Sequence, residues 1–407
     1  MRVSTSTIFD TNVSMLNQQQ TALLHTNQQV ASGRRMLTPA DDPAASANAL
    51  QIMQADATNT QYATNRNTAK SSIGLAEAVL QNVTNLLSDV KTSAVQAGNG
   101  ALSNNDKQTI ATELQGRLDQ LIALANTSDG TGNYLFSGYQ GKTIPFVNTS
   151  TGIQYMADDG QRMIQVSSSR QMAGSESGAD IFTRIKNGNG KFVTEAPIDP
   201  ATLLPTNVGN ASITQGAVTG AVNIANLPLT ISFADPATYS ITDVNGNAVI
   251  DSNGIDLSNV NYISGQAITL PGMVFSISGT PAAGDSFSVK PSSNEGIFKT
   301  MTDLIQALNT ATPAQLTTSL GKAMSGLDRG LDSVLTARAS LGARLNELDT
   351  LQTTGEDLGL QFKQTLSTLQ DLDYNKAISD LNRQTTSLQA AQKSFKQISD
   401  LSLFNYM

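Results

Sequence analysis

Residues 9–33 read FDTNVSMLNQQQTALLHTNQQVASG, and within that stretch Phe9, Leu16, Leu23 and Val30 recur every seven positions. Such spacing lays a narrow apolar stripe along one side of a helix. The other side decides what the helix is for. From Thr11 to Gly33 there is no Asp, Glu, Lys or Arg; the polar residues are Gln, Asn, Thr, Ser and His25. A helix that faces water keeps charges on its outer surface, where they are solvated at little cost. A polar but uncharged surface can be desolvated against neighbours through hydrogen bonds, whereas a buried unpaired charge costs several kcal/mol. This helix is built to be surrounded. Near the far end of the chain Tyr374, Leu381, Leu388 and Phe395 repeat the interval, with Ile378, Ala391 and Ile398 read at the offset positions. The two ends form one packing unit, made for an assembly of many chains.

Composition narrows the function classes. At 407 residues the chain has room for two or three domains and a real core. A formal charge of -8 argues against a nucleic-acid binder, which would need a basic patch to replace phosphate counterions, so no nucleic-acid partner is expected. Arg34 and Arg35 are the only paired basic residues among the first hundred, and they suit a helix C-terminus. With no cysteine, no tryptophan and one histidine, thiol catalysis, disulfides and multi-histidine metal cages drop out. The opening residues hold no apolar core of secretory length, and no later run approaches a membrane span. Export, if it occurs, is expected by a route that reads no such signal, and no membrane partner is expected.

The first helix should stop at Ser32-Gly33, since Gly after the last periodic residue is the usual left-handed cap. A second should begin at Asp42-Pro43, an N-cap followed by a proline at the first helical position. Ile73, Ala76, Leu80, Val83, Leu87, Val90, Ala94 and Ala97 then alternate by three and four until Gly98-Asn99-Gly100. Ser103 to Asp106 resembles a capping box opening another stripe, Ile110, Leu114, Leu118, Leu121 and Ala125. After Asn133 the period changes. Segments 153–156, 163–166, 229–233, 239–242, 274–278 and 287–289 alternate as strands do. Residues 191–290 hold seven acids (Glu195, Asp199, Asp235, Asp243, Asp251, Asp256, Asp285) against Lys191 and Lys290, which is -5 of the -8. Helical spacing resumes near Asn294, restarts after Thr312-Pro313 and runs on toward the C-terminal stripe. The fold class expected is α+β: a bundle of long helices closed by the paired ends, with a β-rich domain inserted in the middle.

Candidate sites are few. Asp41 and Asp42 are adjacent, so their carboxylates cannot straddle a substrate as a glycosidase pair does, and capping explains them. His25 has no Ser or acid at helical spacing to form a relay. Asn187-Gly188-Asn189-Gly190-Lys191 lacks the ending of a phosphate loop and reads as a tight turn. Asp243, Asn245, Asn247 and Asp251 place oxygens at alternate positions as calcium loops do, yet Asn245-Gly246 between apolar residues is also a hairpin signal. No constellation supports an enzyme, and no catalytic, cofactor or metal residue is expected.

The opening helix with Ser32-Gly33-Arg34-Arg35 and Thr38-Pro39-Ala40-Asp41-Asp42-Pro43-Ala44, together with the Leu-rich C-terminal helix, resembles the flagellin superfamily. More narrowly, Asn133-Tyr134-Leu135-Phe136-Ser137-Gly138-Tyr139, Pro145-Phe146 and the ending from Leu388-Gln389-Ala390 to Leu401-Ser402-Leu403-Phe404-Asn405-Tyr406 resemble the hook-associated protein 3 family. These motifs lie within about 1–188 and 294–407. The resemblance implies a non-enzymatic, extracellular subunit of the bacterial flagellum, exported through the flagellar type III apparatus. It implies a ring of copies between hook-associated protein 1 and the flagellin filament, and an export chaperone on the C-terminal segment. By that analogy Phe9, Leu16, Leu23, Val30, Tyr374, Leu381, Leu388 and Phe395 are inter-subunit packing residues, and Gly33, Arg34, Asp41, Asp42, Pro43, Tyr134, Phe136 and Gly138 carry the family motifs.

The domains expected are 1–42 with 365–407 as a terminal coiled coil, 43–188 with 294–364 as a helical core with hairpins, and 189–293 as an outer β domain. Polar Asn12, Gln19 and Thr26 narrow the N-terminal stripe, so an isolated pair of end helices should be marginal, disordered in the monomer and ordered on assembly. Two rival roles remain at this level, a flagellin filament subunit and a secreted adhesin acting through the β domain.

Overall fold

A computed structural model describes residues 5–198 and 206–400; Asp199 and the motif residues Leu401 to Tyr406 lie outside them. The fold is α+β, and its contacts divide the chain into two compact units, residues 1–65 with 350–407 and residues 66–349.

The terminal unit holds helix α1 (Thr5–Ser32), the first part of α2 (Pro43–Ala97), the last part of α6 (Pro313–Gln370) and α7 (Tyr374–Asp400). Helix α1 stops where glycine permits: Gly33 takes φ +70° and its N–H reaches the Gln29 carbonyl at 2.8 Å. Helix α2 starts as its sequence demands, with Asp42 Oδ1 accepting from the Ala45 N–H at 3.0 Å. The core of this unit is thin. Its buried apolar side chains, among the described residues, are Ala45, Ala49 and Ala377, while Phe9, Met15, Leu24, Leu50, Met53, Leu360 and Ile378 are exposed.

The second unit is conventional in its packing. The α2 stripe Ile73, Leu80, Val83, Leu87 and Val90 is buried, as is the α3 (Asn104–Ala125) stripe Ile110, Leu114, Leu118 and Leu121. The capping box is present, with Ser103 Oγ accepting from the Asp106 N–H at 3.2 Å and Asp106 Oδ2 accepting from the Ser103 N–H at 3.0 Å. Two hairpins follow, β1 (Phe146–Thr149) with β2 (Gly152–Tyr155) and β3 (Met163–Ser167) with β4 (Arg170–Ala173), then the short α4 (Gly178–Phe182). Helix α5 (Ile297–Thr310) packs on α3. Lys70 to Asp349, Lys91 to Asp328 and Arg338 to Glu77 lie at 2.5, 2.5 and 2.8 Å and align α2 with α6 antiparallel. These pairs are exposed or half-exposed and set direction more than stability.

Between α4 and α5 the chain builds β5 (Phe192–Glu195), β6 (Ser212–Ile213), β7 (Ala217–Val218), β8 (Leu229–Asp235), β9 (Thr238–Thr242), β10 (Val260–Asn261), β11 (Ala267–Leu270), β12 (Met273–Ser278) and β13 (Ser286–Pro291). One sheet runs β10-β9-β8-β13-β5 and the other β11-β12-β6, with β7 also on β12. Alternation delivers the core, as the inward positions Ile231, Phe233, Ile241, Phe275, Ile277, Phe287 and Val289 form one buried cluster. The strand segments read from alternation fall on β2, β3, β8, β9, β12 and β13.

One expectation needs correction, and one boundary is added. The C-terminal helical run has a break, since α6 ends at Gln370 and α7 begins at Tyr374. Asp373 makes the break: its Oδ1 accepts from the Lys376 N–H at 3.1 Å as an N-cap. Ile378 is not at an offset position of the seam, for it is exposed while its neighbour Ala377 is buried. A methyl side chain lets the two helix backbones approach there, and a β-branched residue would hold them apart.

Candidate functional site: the terminal helix pair and its clasp

Helices α1 and α7 pack against each other along their lengths. Two fixed points set their direction. At one end the rings of Phe9 and Phe395 lie 5.2 Å apart; at the other the Leu372 N–H donates to the Gly33 carbonyl at 3.0 Å. The pair is therefore antiparallel, and each step forward in α1 meets a step back in α7. This register sets Leu16 opposite Leu388, Leu23 opposite Leu381 and Val30 opposite Tyr374. At the offset positions Thr26 and Ala377 are buried, while Asn12, Gln19, Gln384 and Ala391 are half-buried. All eight stripe residues named from the sequence thus meet in one seam. None is fully buried: Phe9 and Tyr374 are half-exposed and the rest intermediate.

The motif residues at 33–43 form a clasp on the α6–α7 junction. Arg34 bridges to Asp371, the Arg35 N–H donates to the Gln370 carbonyl at 2.8 Å, and the Arg35 guanidinium donates to the Leu369 carbonyl through Nη2 at 2.8 Å and Nε at 3.3 Å. A cation thus caps the last carbonyls of α6, the end of the helix dipole that favours it. Asp41 turns the loop by accepting from the N–H groups of Leu37 and Thr38, both at 2.8 Å, and its Oδ1 lies 3.2 Å from His25 Nε2. The Thr38 and Leu37 N–H groups lower its pKa to about 2, with His25 adding to them. Spacing along one helix could not show this acid beside His25, because the loop supplies it. Pro43 is the first residue of α2.

The Tyr134 to Gly138 motif belongs to the second unit, where it is a folding device. Phe136 is fully buried, edge-on to Phe182 at 5.5 Å, and Phe146 joins Phe182 to Phe298 at 5.4 and 4.9 Å. Tyr134 closes a loop, its N–H on the Gly141 carbonyl at 2.7 Å. Gly138 takes φ +63°, and a Cβ there would sit 2.3 Å from Asp158 O and Oδ1. The Asp158 carboxylate accepts from the N–H groups of Tyr139, Gln140 and Gly160, each at 2.8 Å, and the Tyr139 N–H leads in holding its pKa below the usual range. The sequence named the motif and not Asp158, its partner twenty residues on.

Neither oxygen-rich segment gathers ligands. Asp243 Oδ1 accepts from the N–H groups of Asn245 and Asn247 at 2.8 and 2.9 Å, and Asp251 Oδ1 repeats the turn with Asn253 and Ile255, both at 2.8 Å. Each carboxylate is spent on its own loop. Asn189 likewise folds the 187–191 turn, Oδ1 accepting from the Lys191 and Phe192 N–H groups at 3.1 and 3.0 Å. Among the described residues no group of three or more His, Cys, Asp or Glu could hold a metal, and no helix is long and apolar enough to cross a membrane.

Residues 3–141 match the family model of the bacterial flagellin N-terminal helical region. The chain is 31% identical over 404 residues to flagellar hook-associated protein 3 of Escherichia coli (strain K12), covering 99% of each. The crystal structure of the flagellar junction protein FlgL from Legionella pneumophila superposes with a TM-score of 0.69 at 33% identity, over 80% of this chain and 100% of that one. The Xanthomonas campestris FlgL crystal structure gives 0.68 at 30%, over 77% and 99%. With its paired terminal helices, inserted β domain and these likenesses, the chain belongs to the flagellar hook-associated protein 3 family, whose members are structural and not enzymes.

Proposed function

We propose that this chain is the junction subunit between the flagellar hook, met through hook-associated protein 1, and the flagellin filament, exported by the flagellar type III apparatus to stand outside the cell. The observation that carries the reading is the composition of the terminal unit. It buries alanines and leaves Phe9, Met15, Leu24, Leu50 and Leu360 exposed, on helices of which the first carries no formal charge from Thr11 to Gly33. Apolar surface of this extent on a thin unit asks for cover, and copies of the same chain in a ring supply it. The Legionella structure, at 33% identity, bears the name of a flagellar junction protein, which supports the reading.

The domains follow the same logic. Residues 1–42 with 365–407 form the assembly domain, with Leu16, Leu23, Val30, Leu381, Leu388 and Phe395 ordered by neighbours. Residues 43–188 with 294–364 form the core and 189–293 the outer domain. An export chaperone covers the C-terminal segment before assembly.

A strain lacking the chain tests the role. It should shed flagellin monomers into the medium and carry bare hooks. Intact filaments on such cells would refute the junction reading, and loss of filament protein itself would favour a flagellin.

A further inference from the structure

The β domain holds a groove that its core leaves unfilled. It is lined by the loop 251–257 and the segment 260–269, which carries β10 and β11, each the edge strand of its sheet, and its volume is about 360 Å³. Clefts for small ligands start at about this size. The walls are fixed. The Ser252 N–H donates to the Thr269 carbonyl at 3.1 Å and pins the loop on β11. The Tyr262 N–H donates to the Ala237 carbonyl at 2.6 Å, and its hydroxyl to the Gly279 carbonyl at 2.8 Å.

The lining sorts the ligands the groove could take. Ile255 and Ile263 line it with more than half of their surface exposed. Asn261, Gln266 and Thr269 are exposed there too, and among the described residues their side chains make no hydrogen bond. Tyr239 is only 9% exposed, yet its hydroxyl also makes no hydrogen bond among the described residues, so any partner for it enters through the groove. Burial pushes the Tyr239 pKa up and the Asp251 charge adds to this, so the phenol stays an O–H donor. From Thr206 to Val289 there is no Lys, Arg or His, and nothing nearby in sequence attracts a phosphate or carboxylate. Asp251 is the one charge in the lining, and it already accepts from the Asn253 and Ile255 N–H groups and from Asn253 Nδ2, which leaves little for a cation. A peptide strand would need a free sheet edge, and the Thr269 carbonyl and Tyr262 N–H are taken.

We propose that this groove binds a neutral saccharide, whose C–H faces lie on Ile255 and Ile263 and whose hydroxyls pair with Tyr239, Asn261, Gln266 and Thr269. A sugar presents apolar C–H faces and uncharged hydroxyls together, which is the combination this lining matches. The inference rests on the β domain and not on the junction role, so either can fail while the other stands.

The test uses the purified full-length chain, in which the β domain carries its own core. Saturation-transfer NMR is run with glucose, galactose, mannose and N-acetylglucosamine, and with short oligomers of each. A dissociation constant of about 1 mM is expected for the best monosaccharide, and a tighter one for its oligomer. Tyr239→Phe removes one hydroxyl and keeps the ring, whose centroid lies 6.1 Å from that of Phe233. Gln266→Ala removes an exposed amide. Each should weaken binding by about fivefold with circular dichroism unchanged. Three results would overturn the proposal: no saccharide bound at about 20 mM, affinity unchanged in both variants, or tighter binding of inorganic phosphate or of trilysine than of any sugar.

Discussion

Phe9 and Phe395 stand 386 positions apart in sequence and meet ring to ring at 5.2 Å, tilted by 48°. The contact closes the open end of the α1–α7 pair, which the clasp at Gly33 holds at the other. An aromatic pair contributes about 0.5–1.5 kcal/mol beyond its burial. Phe395→Ala should therefore loosen the pair severalfold. Limited proteolysis of the assembled protein would show faster trimming within α1 and α7, with residues 66–349 cut at the wild-type rate. Equal trimming of both proteins would mean that the ring contact does not hold the pair.

Gly33→Ala tests the clasp. The residue needs φ +70°, which costs an L-residue about 1–2 kcal/mol, and its new Cβ would stand 2.9 Å from the Tyr374 hydroxyl oxygen. Removing that hydroxyl with Tyr374→Phe should relieve the crowding and leave the backbone strain. The double variant is expected to recover only part of the loss in a hydrogen-exchange comparison. Full recovery would place the whole cost in the clash, and no loss at all would show that the clasp is dispensable.

Acid should open two loops. Asp41 titrates near pKa about 2 because the Thr38 and Leu37 N–H groups and then His25 favour its charged form. At Asp129 burial pushes the pKa up, and hydrogen bonds from Thr131 and Asn133 outweigh it, leaving about 2. A depressed folded-state pKa contributes stability above the unfolded value near 4, and this is lost as pH falls from about 4 to about 2. Carboxyl NMR titration should place both midpoints near 2, and Asp41→Asn should remove the loss of exchange protection in residues 33–42, relative to the intrinsic rate at each pH, over that window. An Asp41 midpoint near 4 would contradict the hydrogen bonds.

What the sequence showed and what it hid divide by range. The Ser103–Asp106 box, the Asp42-Pro43 start and the Gly33 stop are each decided within four residues, so local chemistry predicts them and the structure has them. The eight stripe residues were legible because a seven-residue period is a property of one helix. Their pairing was not, since register depends on contacts between Gly33 and Leu372 that no local window contains. The place of Ala377, rather than Ile378, in the seam was hidden for the same reason. Hydrophobicity ranks isoleucine first, and only the approach of a second backbone makes the smaller residue the better one. The break before α7 had a signal, Asp373 as N-cap, which the Leu-rich run on either side masked.

The buried ring cluster makes a prediction about the second unit. Phe136 packs edge-on against Phe182 and is fully enclosed, so Phe136→Ala removes a large side chain with little room for collapse. Such changes cost about 3–5 kcal/mol. Denaturant unfolding followed by circular dichroism should show a midpoint lowered accordingly. Tyr139→Ala, two-thirds exposed in the same motif, should shift it by less than about 0.5 kcal/mol. Similar shifts for the two would deny Phe136 its place in the core.

Excising the β domain separates the junction role from an adhesin. The chain enters and leaves this domain through adjoining backbone: Lys186 bridges Asn294, the Asn187 N–H donates to the Ser293 carbonyl at 3.0 Å, and the Ser292 N–H donates to the Lys191 carbonyl at 3.0 Å. Because the two crossings already lie side by side, a short Gly-Ser turn can replace residues 191–290 without stretching the helices. The strands carry their own core from Phe192 to Val289, so that cluster leaves whole. Cells expressing the shortened chain should keep filaments on their hooks and swim, with the terminal seam intact. If the shortened chain folds, as judged by its helical circular dichroism, yet leaves bare hooks, the insert itself takes part in the junction. Retained filaments with lost surface adhesion would instead show that the β domain carries a second, separable role.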